Sequence, residues 1–178
     1  MGNLLRRRSL MVVASGTAPD VPLYTLTNGS RKAYNNGAVT GNNGDVKVTN
    51  GNHFYYLKRW GSNSALYFAP LTTGSAPFSV SAGDVVRTVV NFDLSKTTGA
   101  GLKILFGKYS GDSASLGRYN SILITANPSS GATAENVVTL TQSYAPSEFF
   151  ILARSVSDTS GKVWEADLEI YVNGVRYI

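Results

Sequence analysis

The stretch VWEADLEIYV (Val163–Val172) decides the fold class, because its apolar and polar residues alternate strictly. One face carries the apolar side chains Trp164, Ala166, Leu168, Ile170 and Val172, and the other carries Glu165, Asp167, Glu169 and Tyr171. A period of two residues is typical of an antiparallel strand with one face on a core and the other in water. The sequence therefore predicts a long, half-buried strand near the C-terminus.

Similar patterns recur upstream and predict a chain made of strands. VVRTVVNFDL (Val85–Leu94) alternates with Val86, Val90, Phe92 and Leu94 on the expected core side, and Asn-Gly pairs at 36–37, 43–44 and 50–51 favour the tight turns of hairpins. We predict strands at 23–27, 45–49, 53–59, 65–70, 85–94, 102–108, 121–126, 136–142, 148–155 and 163–172. Many short strands with regular turns predict an all-β sandwich or barrel.

Composition narrows the class of protein. The 178 residues suit one domain with an appendage, and the absence of cysteine excludes disulfides and thiolate metal sites. Charged residues make up 15% of the chain, well below the usual quarter, and Gly, Ser, Thr and Asn fill the difference. No apolar run approaches the roughly 20 residues that span a bilayer. This profile is typical of an all-β extracellular or particle-borne protein. No cofactor is expected.

Residues 1–22 differ from the rest and are predicted to form an N-terminal docking arm in front of a β-sandwich at 23–178. Arg6, Arg7 and Arg8 contribute three of the five net positive charges, which leaves the remainder near neutral. The arm mixes this charge with apolar side chains, and residues 3–14 are long enough for about three helical turns before Gly16 and Pro19. We expect partner contacts from Leu4, Leu5, Arg6, Arg7, Arg8, Leu10 and Met11.

Other interpretations of the arm stay open. The apolar run SLMVVA (9–14) is shorter than the core of a secretory signal, and Arg6 stands where myristoylation requires Ser or Thr. An arm that binds nucleic acid through phosphate contacts is not expected, because the interleaved leucines do not suit a solvated segment. Packing of the arm on its own domain is the simplest alternative to docking.

Residues that could carry catalysis are sparse, and no enzyme is predicted. His53 is the single histidine, no Gly-x-Ser-x-Gly elbow accompanies it, and a surface role at a strand start is the simplest expectation for it. Glu165, Asp167 and Glu169 share one strand face and are interpreted as a solvated stripe. GNNGD (41–45) and SGD (110–112) offer too few carboxylates to predict a calcium site.

Aromatic residues give a more specific expectation. FYYLKRW (54–60) and ALYFAP (65–70) bring several rings close in sequence, and alternate members would point outward if their strands were adjacent. Exposed aromatic rings stack on the apolar faces of sugars while polar neighbours bind the hydroxyls. We expect glycan contacts from Tyr55, Tyr56, Trp60 and Tyr67. The alternative is that half of these rings lie in the core and the others form edge or subunit contacts.

Two resemblances extend this prediction. FSVSAGDVVRTVVNFDL (78–94) and EADLEIYVNGVRYI (165–178) resemble carbohydrate-binding modules of the jelly-roll type, and EIYVNG (169–174) is similar to the last strands of laminin-G and concanavalin-like sandwiches. NLLRRRSLM (3–11) resembles the opening of small virion proteins of gut bacteriophages, where such a start precedes different C-terminal domains. A shared start on different domains is what a docking peptide would give.

Together these features lead to a functional expectation. The leading interpretation is a structural component of a phage virion, such as a fibre, tail or capsid-decoration protein. It would be anchored to other virion proteins by residues 1–20 and would contact host glycans, with a homo-oligomer, favoured as a trimer, as the expected state. The alternative is a non-catalytic carbohydrate-binding module of a secreted or surface protein.

Overall fold

The chain folds into two antiparallel sheets packed face to face. The computed structural model describes residues 21–178 except 27–28, 33, 36–37, 40–43, 49–50, 59–66, 72–75, 109–119, 147 and 157–160. Within these ranges the strands are β1 (Gly29–Lys32), β2 (Tyr34–Asn35), β3 (Ala38–Val39), β4 (Gly44–Val48), β5 (His53–Lys58), β6 (Tyr67–Pro70), β7 (Val85–Phe92), β8 (Leu102–Lys108), β9 (Asn120–Ala126), β10 (Thr133–Thr139), β11 (Phe149–Ser155), β12 (Lys162–Val172) and β13 (Val175–Arg176). The arm and its predicted docking residues lie outside the described part.

The strand order is that of a jelly roll. The first sheet runs β1-β4-β5-β12-β7-β10, with β13 paired to β12, and the second runs β3-β2-β6-β11-β8-β9. From β5 to β12 the chain crosses to the other sheet at every connection except the β8–β9 hairpin. This topology confirms the predicted antiparallel β-sandwich of the jelly-roll type. The helical turn Pro128–Ser130 is far too short to cross a membrane. The described ranges contain no helix that is long and apolar enough to do so.

Alternation along the strands builds the core between the sheets. The even-numbered side chains of β12 from Trp164 to Val172 are all buried, as the sequence predicts for this strand. A group of rings belongs to the same core, in which Phe78, Phe106, Phe149 and Tyr144 pack edge to face or tilted. Phe106 and Phe149 come from the second sheet, Phe78 from the segment before β7, and Tyr144 from the segment before β11. Burying side chains of this size contributes about 2–3 kcal/mol each.

Among the residues that the structure describes, Trp164 is the largest buried side chain. Its ring stacks on Tyr56 with centroids 5.3 Å apart and planes inclined by 19°. Gly99 packs against the indole near Cε2, Cζ2 and Nε1, and a 2.9 Å hydrogen bond from the Gly99 amide to the Val163 carbonyl holds it there. A methyl group at position 99 would overlap the six-membered ring of the indole. Glycine is therefore required at this position for space.

Nine of the ten predicted strands overlap a strand of the structure, although the strand predicted at 136–142 is observed at Thr133–Thr139. The short strands β1, β2, β3 and β13 were not predicted, and two further expectations are wrong. Residues 23–27 were expected to form a strand, yet none is present in the described part, where the Leu23 and Tyr24 amides bond to the carbonyls of Arg176 and Tyr177. Leu94 was expected on the core side, but β7 ends at Phe92 and Leu94 is 51% exposed. The turn that follows β7 carries Leu94 away from the core.

We predict that Gly99→Ala lowers the free energy of unfolding by about 1–3 kcal/mol, because the added methyl overpacks the Trp164 site. Chemical denaturation measures this change. Ala100→Ser, at the exposed neighbouring position, is the matched control and should stay within about 0.5 kcal/mol of the wild type. Equal stability of Gly99→Ala and the control would contradict the packing described here.

Candidate functional site

The outer face of the first sheet carries a row of three functional side chains. Burial alternates along β5, so that His53 and Tyr55 face outward while Phe54 and Tyr56 face the core. The register places Tyr55 opposite Lys47 of β4 on one side and opposite Glu165 of β12 on the other. Directly paired side chains on one sheet face lie about 5 Å apart at their Cβ atoms. The order across the face is therefore cation, aromatic ring and carboxylate.

This row forms one wall of an open groove. Lys47, His53, Tyr55 and Glu165 line a cavity of about 290 Å³. Tyr55 is half-buried, Lys47 is exposed, and the Glu165 side chain is 15% exposed. Small-molecule sites combine apolar or aromatic surface with a few fixed polar groups, and this groove has both.

His53 links two carboxylates at the rim of the groove. Its Nδ1 lies 2.8 Å from Asp167 Oδ1 and its Nε2 lies 3.0 Å from Glu165 Oε1. An ionised carboxylate only accepts hydrogen bonds, so both contacts are hydrogen bonds together only when both ring nitrogens carry protons. His53 thus links the side chains of Glu165 and Asp167 across the two strands.

Lys96 holds Glu165 from the other side. Its Nζ lies 2.7 Å from Glu165 Oε1 and 3.1 Å from Asp93 Oδ2. The turn that carries Lys96 is itself attached to β12, because the Thr97 hydroxyl accepts a hydrogen bond from the Glu165 amide and donates one to the Glu165 carbonyl, both at 3.1 Å. The chain after β7 therefore positions the cation that the site uses.

The ion pair sets the protonation of the site. The hydrogen bond from Lys96 and, to a smaller extent, that from His53 hold the pKa of the Glu165 carboxyl below its ordinary value, against the opposing effect of burial. The same carboxyl raises the pKa of Lys96. Glu165 is consequently an ionised hydrogen-bond acceptor at neutral pH, and its position is fixed before any ligand arrives.

These contacts leave the site without free nitrogen ligands for a metal. Both nitrogens of His53 point at carboxylate oxygens, so neither lone pair is open for coordination. Among the residues that the structure describes, no cluster of three His, Asp or Glu side chains has a metal-binding arrangement. Most of GNNGD (41–45) and all of SGD (110–112) lie outside those residues.

The structure describes two of the four predicted glycan-binding side chains, Tyr55 and Tyr56, and places them on opposite faces of β5. Tyr55 lines the groove, whereas Tyr56 is fully buried against Trp164 and has no face open to a ligand. Trp60 lies outside the described residues, as does the Tyr67 side chain. β5 and β6 are not adjacent, because β6 belongs to the second sheet. Tyr55 and Tyr67 are therefore not neighbours on one face.

Sequence reasoning missed most of the polar residues of the groove. The carboxylates of β12 were interpreted as a solvated stripe, but Glu165 is engaged by His53 and Lys96, and Glu169 accepts from the Tyr171 hydroxyl at 2.9 Å. His53 was expected to have only a surface role. The strict alternation of β12 was the available signal, since it places Glu165 and Asp167 on one outer face.

A second groove lies between β9 and β10 and has a different character. Its cavity of about 340 Å³ is lined by Ser121, Ile122 and 138–141, which are small hydroxyl and aliphatic residues. This described lining offers neither an aromatic ring nor a charge. The groove at Tyr55 therefore has the greater capacity for specific recognition.

Comparisons with known proteins do not assign the chain to a family. No family model matches the chain, and a search of curated proteins finds no match. Among solved structures, the chain is similar to a variant of a carbohydrate-binding module of family 29 (TM-score 0.43, 14% identity, 86% of this chain and 91% of that one). It is also similar to a family 29 module variant complexed with cellulohexaose (TM-score 0.43, 13% identity, 86% and 90%).

A third similar structure is an arabinose-bound GH51 α-L-arabinofuranosidase (TM-score 0.43, 11% identity). The match covers 82% of this chain and 25% of that one. Structural overlap at this level carries no conclusion about function, and none of these proteins assigns the chain to a family.

We predict that Lys96→Met raises the pKa of the Glu165 carboxyl toward its ordinary value, because the largest stabilising contact of the carboxylate is lost. Side-chain carboxyl NMR as a function of pH measures this shift. Lys103→Met, which removes an equal charge from β8 of the second sheet, should leave Glu165 unchanged. An unchanged pKa in Lys96→Met would contradict the ion pair.

The sign of the linked stability change follows from the same contact. A lowered pKa in the folded state stabilises the protein above the ordinary pKa of the carboxyl, and that contribution is lost as the pH falls through the lowered value. The stability difference between wild type and Lys96→Met should therefore be largest near neutral pH and should shrink in acid.

Proposed function

We propose that this protein is a non-catalytic carbohydrate-binding domain whose binding site is the groove around Tyr55. The observation that carries the proposal is the row of Lys47, Tyr55 and Glu165 across three neighbouring strands, with His53 beside it. A sugar ring has an apolar face and an edge of hydroxyl groups. An aromatic ring flanked by a charged donor and a charged acceptor is complementary to both parts.

Preorganisation supports binding at this groove. Glu165 is held by contacts of 2.7 Å from Lys96 and 3.0 Å from His53, so that its oxygens do not need to be ordered by the ligand. Tyr55 lies on a central strand of the first sheet, paired on both sides. Groups that are fixed before binding lose less conformational entropy when the ligand arrives.

The electrostatics of the groove favour binding over hydrolysis. Glycoside hydrolysis requires a carboxylic acid that is protonated near neutral pH, which means a raised pKa. The pKa of Glu165 is instead lowered by Lys96 and His53. Glu165 accepts hydrogen bonds and is unsuited to protonating a leaving group. We therefore assign it to ligand positioning.

We further propose that residues 1–20 attach this domain to a larger particle, a phage virion. Three consecutive arginines among leucines in an otherwise nearly neutral chain support this, as does the resemblance of NLLRRRSLM (3–11) to virion protein starts. The apolar side chains would fill a groove of another virion protein, and the arginines would bind its carboxylates or carbonyls. Trimeric assembly of the particle-borne protein is part of this proposal.

We predict that Tyr55→Ala lowers glycan affinity at least tenfold, because the stacking surface is removed. A glycan array identifies ligands, and isothermal titration with the best oligosaccharide gives the affinity. Tyr55→Phe keeps the ring and is the matched control, with affinity expected within a few-fold of the wild type. An array without any retained glycan, or equal affinities of Tyr55→Ala and wild type, would reject the proposal.

We predict that deletion of residues 2–20 abolishes incorporation into particles while glycan binding persists, because the two activities belong to different segments. Co-sedimentation with particles measures incorporation. Replacement of Arg6, Arg7 and Arg8 by Gln tests the charge alone and should weaken attachment in a salt-dependent way. Normal incorporation of the deletion variant would exclude the anchoring role.

A further inference from the structure

The charged side chains at the groove differ in whether they have a side-chain partner. Glu165 is bound by Lys96 and His53, and Asp167 is bound by His53. Glu165 and Asp167 of β12 thus both have side-chain partners. Lys47 differs, since its exposed ammonium forms no ion pair or hydrogen bond with the residues that the structure describes. The groove contains a cation that is available to a ligand.

The position of Lys47 beside Tyr55 determines which part of a bound ligand its charge can reach. Lys47 and Glu165 are the two cross-strand neighbours of Tyr55, on opposite sides of its ring. A sugar stacked on Tyr55 directs its edge substituents toward both neighbours at once. An anionic substituent would be attracted to Lys47 and repelled by Glu165, whereas hydroxyl groups donate hydrogen bonds to the Glu165 carboxylate.

We propose that the groove binds acidic saccharides, sugars that bear a carboxylate or sulfate, with Lys47 as the residue that determines this specificity. This inference rests on the proposed carbohydrate-binding function. The anionic group of the ligand pairs with Lys47, the ring stacks on Tyr55, and the hydroxyl edge faces Glu165. The ligand therefore has one orientation, because its reversal would place two negative charges together.

The neighbouring charged groups do not remove this preference. Lys96 contacts both Glu165 and Asp93, so its charge is compensated locally, and both nitrogens of His53 are engaged by carboxylates. Farther along the same sheet, Arg87 is bound to Glu135 at 2.8 Å and lies 4.6 Å above the Tyr171 ring. The Arg87–Glu135 pair is internally neutral, and within the described part of the chain Lys47 is the cation beside Tyr55 that has no ion-pair partner.

The test uses ligand pairs in which the anionic group of one member is esterified or absent in the other. Trigalacturonic acid is compared with its fully methyl-esterified form, and a sulfated galactose oligomer with its unsulfated form, by isothermal titration at low and moderate salt. We expect the charged member of a pair to bind about fivefold more tightly, an advantage that declines as salt increases. The carboxylate and sulfate arms distinguish the two sources of negative charge.

Lys47→Met should abolish the difference in affinity between the charged and the neutral member of each ligand pair. Binding of the neutral members should persist. Lys103→Met, on the second sheet, is the matched control and should retain the difference. Equal or tighter binding of the neutral members, or a preference unaffected by Lys47→Met, overturns the acidic specificity but leaves the carbohydrate-binding function intact. Failure of every saccharide on a broad array to bind wild-type protein rejects that function and this inference together.

Discussion

The double pairing of β12 is the constraint on which the rest of the structure depends. This strand forms ladders with both β5 and β7, and its eleven residues span the centre of the first sheet. Its alternation places Trp164 in the core and Glu165 in the groove as direct neighbours in sequence. A shift of the register by one residue would exchange the two faces, so that core and site would be lost together. Folding stability and site geometry are therefore coupled through one strand.

The site also depends on a loop that is fixed by the same strand. The turn after β7 places Gly99 against Trp164 on the inner side and Lys96 against Glu165 on the outer side. Hydrogen bonds between Thr97 and the Glu165 backbone join the turn to β12. The residue that orders the carboxylate thus belongs to a segment held by core packing. This arrangement explains how an exposed face can carry a preorganised acceptor.

The fold was largely predictable from sequence, because strand periodicity and Asn-Gly turns are local signals. The site was not, because it depends on register between distant strands: His53 and Asp167 are 114 residues apart. The facing of β5 was also ambiguous. The structure buries the even-numbered positions of β5, including Tyr56 and Lys58, which is 1% exposed. Tyr55 was therefore named together with a neighbour that lies in the core.

The most direct test of the central claim is an NMR titration of the isotope-labelled protein with a saccharide retained on the array. The account predicts that amide and side-chain shifts change first at Lys47, His53, Tyr55 and Glu165. Small changes should extend to Lys96, because it shares the Glu165 carboxylate with His53. Changes centred instead on Ser121 and residues 138–141, or on the outer face of the second sheet, would contradict binding at the Tyr55 groove.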